Sequence, residues 1–249
     1  MKNLLQITAT ATLVFFAQTL AHAGNITVLG AGSGSAPIFV TTALDNIDIG
    51  TRVRVGTFLD LSALNSAITA FSTGSASYSA TLLSLNNNFA DLGTNATNYG
   101  TTSQTAVGGA AFSPSTTQFG FNNISSLTIN GVTANRNVFN GSITGVNYSS
   151  SIGASKNLYI WTAFNDQIGI VRNSDGTGTS AWTSPSSDLS GVTMNLSGIN
   201  SQSEVLLGTY VDYAAGSDLI ALSVPEPTTG ILLIASLPIL LGLRRKSKF

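Results

Sequence analysis

Apolar and polar residues alternate in short runs over most of this chain. Ile26 to Leu29 and Ile38 to Thr41 are brief strand signals. From Arg52 to Leu59, Val53, Val55 and Thr57 alternate with Arg52, Arg54 and Gly56. That period of two predicts a strand with one buried face. The period then changes. Leu61, Leu64, Ala67, Ile68 and Phe71 fall at helical spacing, with Asp60 or Ser62 placed to cap the helix start. Leu82, Leu85, Phe89 and Leu92 predict a second short helix, and the Gly/Thr/Asn-rich stretch 93–110 predicts a loop.

From Gln118 onward the pattern is short strands broken by polar turns. The runs are Gln118 to Phe121, Ser126 to Ile129, Val138 to Val146, Leu158 to Phe164, Ile168 to Arg172, Val192 to Leu196 and Val205 to Val211. Asn, Gly, Ser and Asp punctuate them. The expectation is a mainly β domain, a β-sandwich or jelly roll with a short helical insertion.

Two segments do not fit this pattern and are read as targeting signals. At the amino end, Lys2 precedes a broadly apolar stretch from Leu4 to Leu20, and Ala21-His22-Ala23 has the small-x-small form of an export cleavage site. Cleavage is therefore expected between Ala23 and Gly24. At the other end stand Val224-Pro225-Glu226-Pro227, an apolar run from Gly230 to Leu243, and Arg244-Arg245-Lys246. As a helix the 14-residue run spans roughly 21 Å, short of the ~20 residues a bilayer core asks for. Pro238 would also kink it. The basic cluster should stay cytoplasmic, which leaves Pro225-Glu226-Pro227 at the outer membrane boundary.

This tripartite tail resembles the PEP-CTERM sorting signal of bacterial surface proteins. The resemblance implies processing by an exosortase, a membrane-embedded transpeptidase-like enzyme. It also implies a Gram-negative bacterium that produces exopolysaccharide. The expected route is export, transient association with the inner membrane, then the cell surface or extracellular matrix.

The body between the signals, residues 24–223, takes five basic and ten acidic residues of the chain's total. Without a basic patch, nucleic acid is not an expected partner. Ser, Thr and Asn supply 74 of the 200 body residues, so hydroxyls and amides wet the surface where charges usually would. Such a surface suits contact with polysaccharide. Cysteine is absent and the single histidine, His22, lies in the leader. A Ser-His-Asp triad, a Cys-His dyad and a Cys/His metal site are thereby excluded, and no cofactor is expected.

Three weaker signals need weighing. Gly30-Ala31-Gly32-Ser33-Gly34 has Ser35 where a dinucleotide loop needs its third glycine, and Pro37 with Ile38-Phe39-Val40 continues as strand, so it reads as a turn. Asn173-Ser174-Asp175-Gly176-Thr177-Gly178 is half a calcium loop, but Val171 and Trp182 occupy the end positions, so it too reads as a turn. Glu204 is the body's one glutamate. With Asp60, Asp91, Asp166, Asp175, Asp188, Asp212 or Asp218 it could form a glycosidase pair, though no spacing selects one. On the strand near 160, Tyr159 and Trp161 share one face while Leu158, Ile160, Thr162 and Phe164 share the other. Tyr159, Trp161 and the loop residue Trp182 are candidates for stacking on sugar rings, although burial in a core is the commoner place for such aromatics. The leading expectation is a non-enzymatic structural or interaction protein. A carbohydrate-binding module is the first alternative and a carboxylate glycosidase the second.

Overall fold

The chain's preference for β-branched and aromatic residues in runs of three to seven is realised as many short strands. The computed structural model describes residues 24–29, 38–48, 51–92, 119–120, 123–129, 132–138, 141–146, 148, 152–174, 181–187, 190–212 and 218–226. In chain order these hold β1 (Gly24–Leu29), β2 (Ile38–Val40), β3 (Arg52–Phe58), α1 (Leu61–Ser72), α2 (Tyr78–Asn88), β4 (Phe89–Asp91) and β5 (Phe119–Gly120). There follow β6 (Asn123–Ile129), β7 (Val132–Val138), β8 (Gly141–Val146), β9 (Tyr159–Phe164), β10 (Gln167–Val171), β11 (Val192–Asn195), β12 (Val205–Leu207), β13 (Thr209–Val211) and β14 (Leu219–Ala221).

The central sheet runs β12-β10-β9-β3-β4, with β5 also paired to β3. All of its pairings are antiparallel. The β9–β10 hairpin turns at Asn165 and Asp166, whose φ angles of 46° and 61° are the left-handed pair that suits a tight hairpin. Two smaller sheets, β11-β1-β8 and β13-β14-β2, each contain one parallel pair, β1 with β11 and β2 with β14. A separate β6–β7 hairpin completes the described strands.

Two cores lie on opposite faces of the central sheet. One gathers Val53, Val55, Leu158 and Ile160 from that sheet with Ile26, Val28, Phe39, Met194, Leu219 and Ile220 from the two small sheets. The other gathers Tyr159, Trp161, Ile168 and Ile170 with Leu64 and Phe71 of α1 and Leu82 and Leu85 of α2. The helices therefore form a layer over one face of the central sheet. Asp60 caps α1 by accepting from the Ser62 and Ala63 N–H groups at 2.8 and 3.1 Å, and Ser77 caps α2 through the Ala80 N–H.

Mainly β is what the fold shows, and most strands sit where the alternation places them. The pattern gives no strand at β7 or β14, and four further details differ. Val205–Val211 is broken at Gly208, whose φ of +121° ends β12 and turns the chain into β13. Val138–Val146 is two strands. Phe89 and Leu92 lie beyond the second helix, because α2 stops at Asn88. There the Asn88 side chain exchanges hydrogen bonds with the Asp60 backbone at 2.7 and 2.6 Å. The Arg52–Leu59 strand buries both of its faces, since α1 and α2 cover the side that carries Arg54. The expected loop at 93–110 and the glycine-rich turn at 30–34 lie outside the described residues.

Candidate functional site

The C-terminal motif leaves the body at a defined point. Strand β14 is the middle strand of its sheet, with Leu219 and Ile220 fully buried and Ala221 and Leu222 at 7% and 1% exposure. The Leu222 N–H donates to the Val40 carbonyl at 2.9 Å. Ser223 then bridges to the start of β10. Its N–H donates to the Ile168 carbonyl and its carbonyl accepts from the Ile168 N–H, both at 2.9 Å. Beyond Ser223 the surroundings change within one residue. Val224 is 42% exposed, Pro225 half-buried and Glu226 exposed. Thus the first three residues of the motif follow directly on the last backbone pairing.

Other residues of the two expected targeting signals fall outside the described part: Ala23, Pro227, Arg244, Arg245, Lys246 and the apolar run 230–243. Gly24 is described and opens β1, where it is buried and pairs with Val146. Among the described residues no helix is long and apolar enough to cross a membrane.

Tyr159, Trp161 and Trp182 are all interior, the commoner of the two arrangements open to them, and the sugar-stacking alternative is overturned. Tyr159 and Trp161 do share a face, but α1 and α2 cover it. Tyr159 is 1% exposed and Trp161 0%. Their rings make edge-on contacts with Phe58 at 5.1 Å and Phe89 at 5.8 Å. Trp182 is 1% exposed and packs in the other core, its N–H donating to the Asn173 carbonyl and its carbonyl accepting from Leu158. A ring with no free face cannot stack on a sugar.

The carboxylates are occupied in separate places. Asp60 caps a helix, and Asp166 forms the left-handed turn after β9. Glu204 is buried at 1% exposure, and its Oε2 accepts from the Asn200 N–H at 2.8 Å. Asp218 accepts the Tyr210 hydroxyl at 2.7 Å. Burial, reinforced by that bond and by the charges of Asp212 and Glu204, pushes the Tyr210 phenol well above its ordinary range. Asp175, Asp188 and most of the calcium-like segment lie outside the described residues. Among the described residues no group of three metal-ligating side chains forms.

One polar cluster had no counterpart in the sequence reading. Arg54, only 5% exposed, lies beneath α2 and donates from Nε to Asp91 Oδ1 at 2.8 Å. Its other nitrogens reach Asp91 Oδ2 and Asn86 Oδ1. The guanidinium also sits 4.9 Å from the Phe89 ring centre and 5.0 Å from that of Trp161. Burial raises the Asp91 carboxyl above its usual value, and Arg54 opposes that shift through its hydrogen bonds and charge. The cluster is enclosed by core residues, and its evident work is to tie α2 and β4 onto β3. The signal that pointed to it was available: Phe58, Tyr159 and Trp161 also stand on the face first read as polar.

Compared with known proteins, the chain matches no family model, no curated protein and no solved structure.

Proposed function

We propose that this is an exported surface or matrix protein, delivered through its C-terminal Pro225-Glu226-Pro227 signal and acting in a structural or interaction role. The observation that carries the reading is the geometry of the exit. Among the described residues the last backbone pairing is at Ser223, and Val224 and Glu226 beyond it are exposed. An exosortase-type enzyme could therefore grip and cut the motif while the body stays folded. Before cutting, the apolar run would hold the chain at the inner membrane, with Arg244, Arg245 and Lys246 on the cytoplasmic side. The central sheet facing the two small sheets across the larger core, with one parallel pair in each small sheet, favours a sandwich-type body over a jelly roll.

A carbohydrate-binding module is the second reading. With Tyr159, Trp161 and Trp182 enclosed, binding to exopolysaccharide would rest on the hydroxyls and amides of the Ser/Thr/Asn-rich surface. A glycan array probed with the exported protein separates the two readings.

Mass spectrometry of released protein tests the sorting step. The expected mature chain starts at Gly24 and lacks residues 231–249. Replacing Pro225 and Pro227 with Ala is expected to leave uncut chain in the inner membrane. Replacing Arg244, Arg245 and Lys246 with Ser should let precursor escape uncut. Released chains that still carry residues 231–249 would overturn the sorting assignment.

A further inference from the structure

Arg54 and Arg172 both lie on the helix-facing side of the central sheet. Among the described residues only Arg54 meets a carboxylate there. Arg54 shows how such a side chain is filled. Its Nε and Nη2 take the two oxygens of Asp91 as a fork, and its Nη1 donates to Asn86 Oδ1. Arg172 follows directly on β10. The preceding Val171 pairs with Ile160, so Arg172 comes beside Tyr159 of β9. Its Nη1 donates to the Tyr159 hydroxyl at 3.3 Å, and its guanidinium lies 5.6 Å from the Tyr159 ring centre.

That leaves the Nε–Nη2 edge of Arg172, the same edge that Arg54 gives to Asp91. Among the described residues the Arg172 Nε–H is buried without an acceptor, and no Asp or Glu pairs with the side chain. A buried donor with no acceptor is costly, more so on a charged group. Arg172 as a whole is only half-buried, so a small lift of its flexible side chain brings the fork to solvent. Tyr159, itself 1% exposed, anchors the opposite edge. What the fork lacks is a planar anion with two oxygens, the group Arg54 already holds.

We propose that Arg172 is a binding site for a carboxylate carried on an acidic polysaccharide, as a uronate. The inference rests on the polysaccharide-binding reading above and gives it a substrate class. The surroundings select that source over an acidic peptide. The Arg172 N–H donates to the Glu204 carbonyl at 2.9 Å, which holds the 3-10 turn Gln202–Glu204 beside it. The residues leading through that turn, Asn200, Ser201, Gln202 and Ser203, are neutral, and all but Ser201 are exposed. The turn's carboxylate faces inward: Glu204 is 1% exposed, and its Oε2 accepts from the Asn200 N–H at 2.8 Å. One fork beside amides and hydroxyls matches a uronate, which offers one carboxylate among sugar hydroxyls. An acidic peptide would bring several charges to a body whose ten acids already outnumber its five bases.

Polygalacturonate and its methyl ester test this as a matched pair, alike in their sugars and unlike in charge. Affinity electrophoresis of the full chain in non-ionic detergent should show retardation by the acid polymer and little by the ester. Arg172→Lys keeps the charge but loses the fork, and its affinity for the acid polymer should fall about 10-fold or more. A second readout needs only the parent protein. Its Arg172 Nε–H resonance, assigned by its loss in Arg172→Lys, should shift as oligogalacturonate is added. Equal binding of the acid polymer by parent and Arg172→Lys would overturn the proposal. So would an Nε–H resonance that ignores the polymer but moves in Asp175→Asn, because the chain's own carboxylate would then fill the fork. If polyglutamate shifts the resonance and oligogalacturonate does not, the source is an acidic peptide and the proposal falls. Acid and ester bound equally, by parent and variant alike, would sink this site and leave the polysaccharide-binding reading standing.

Discussion

Removing Arg54 should cost stability in a way that depends on pH, and the size can be worked out from its surroundings. In Arg54→Met the apolar stem is replaced by a chain of similar reach, and the thioether can still touch Phe89 and Trp161. What disappears is the charge facing Asp91, whose side chain is 13% exposed, together with the bond to Asn86 Oδ1. The stranded carboxyl can remain ionised with poor solvation, or it can take up a proton. Protonation sets the upper limit. From an ordinary pKa of about 3.9, neutralising an Asp at about pH 7 costs roughly 4 kcal/mol, and at about pH 4.5 under 1 kcal/mol. Breaking a buried pair typically costs about 3–5 kcal/mol, which is consistent with that ceiling. Lost cation–π contacts add about 0.5–2 kcal/mol that does not vary with pH.

The parent protein sets the baseline, and its sign matters. Asp91 is shifted upward in the folded state. Its contribution to stability is therefore fully present below about 3.9 and is lost as pH rises through the raised folded value. Without Arg54 the folded value rises further, so the variant must lose stability more steeply over the same range. Urea unfolding at several pH values, followed by tryptophan fluorescence, gives the difference between variant and parent. We expect that difference to shrink by about 2–3 kcal/mol between pH 7 and pH 4.5. The paired change Arg54→Met with Asp91→Leu should recover most of the loss at neutral pH and abolish this pH dependence. A penalty equal at both pH values would show that Asp91 is not left uncompensated, and the account of the cluster would fail.

Two glycines and the C-terminal strand give further tests by thermal unfolding. A Cβ at Gly169 would lie 2.5 Å from Leu222 Cδ2 and 3.1 Å from Phe39 Cε1, so Gly169→Ala should cost about 1–3 kcal/mol through overpacking. At Gly56 the added atom would lie 2.1 Å from the Ala90 carbonyl oxygen; backbone yields less than a side chain, so Gly56→Ala should be the more damaging of the two. A chain ending at Glu226 should melt with the parent body, whereas one ending at Asp218 should not fold.

Local patterning reveals elements whose neighbours follow from the same few residues. The helix beginning after Asp60 is an example, because cap and periodicity are both written within a dozen positions. So is the division of β9 into two faces, with Leu158 and Ile160 in one core and Tyr159 and Trp161 in the other. What covers a face is not local information. The helices that bury Tyr159 and Trp161 come from residues 61–88, roughly 70 to 100 positions before β9. Hence Arg54 reads as a solvent-facing charge and the two aromatics as an available platform. The parallel pairs β1–β11 and β2–β14 also join distant segments, and no turn motif announces them. Leu219-Ile220-Ala221-Leu222 is a plain apolar run with no alternation to mark it as a strand, and the pattern of the tail begins directly after it.

That run explains why the position of the exit matters. Strand β14 lies between β13 and β2, and Leu222 covers Gly169 of the central sheet. Removing Leu219, Ile220 and Leu222 would withdraw three large, almost fully buried side chains. At about 1.5–3 kcal/mol each, the loss is about 5–9 kcal/mol, comparable with a whole domain's typical stability of about 5–15 kcal/mol. A cut within the motif removes none of them, because Val224 and Glu226 already face solvent. On the proposed reading, a processing enzyme acting at Pro225-Glu226-Pro227 would work within a few residues of a strand the fold needs. The truncation series decides this. If the chain ending at Asp218 melts like the parent, β14 is dispensable, and the exit geometry gives no reason for the motif to stand where it does.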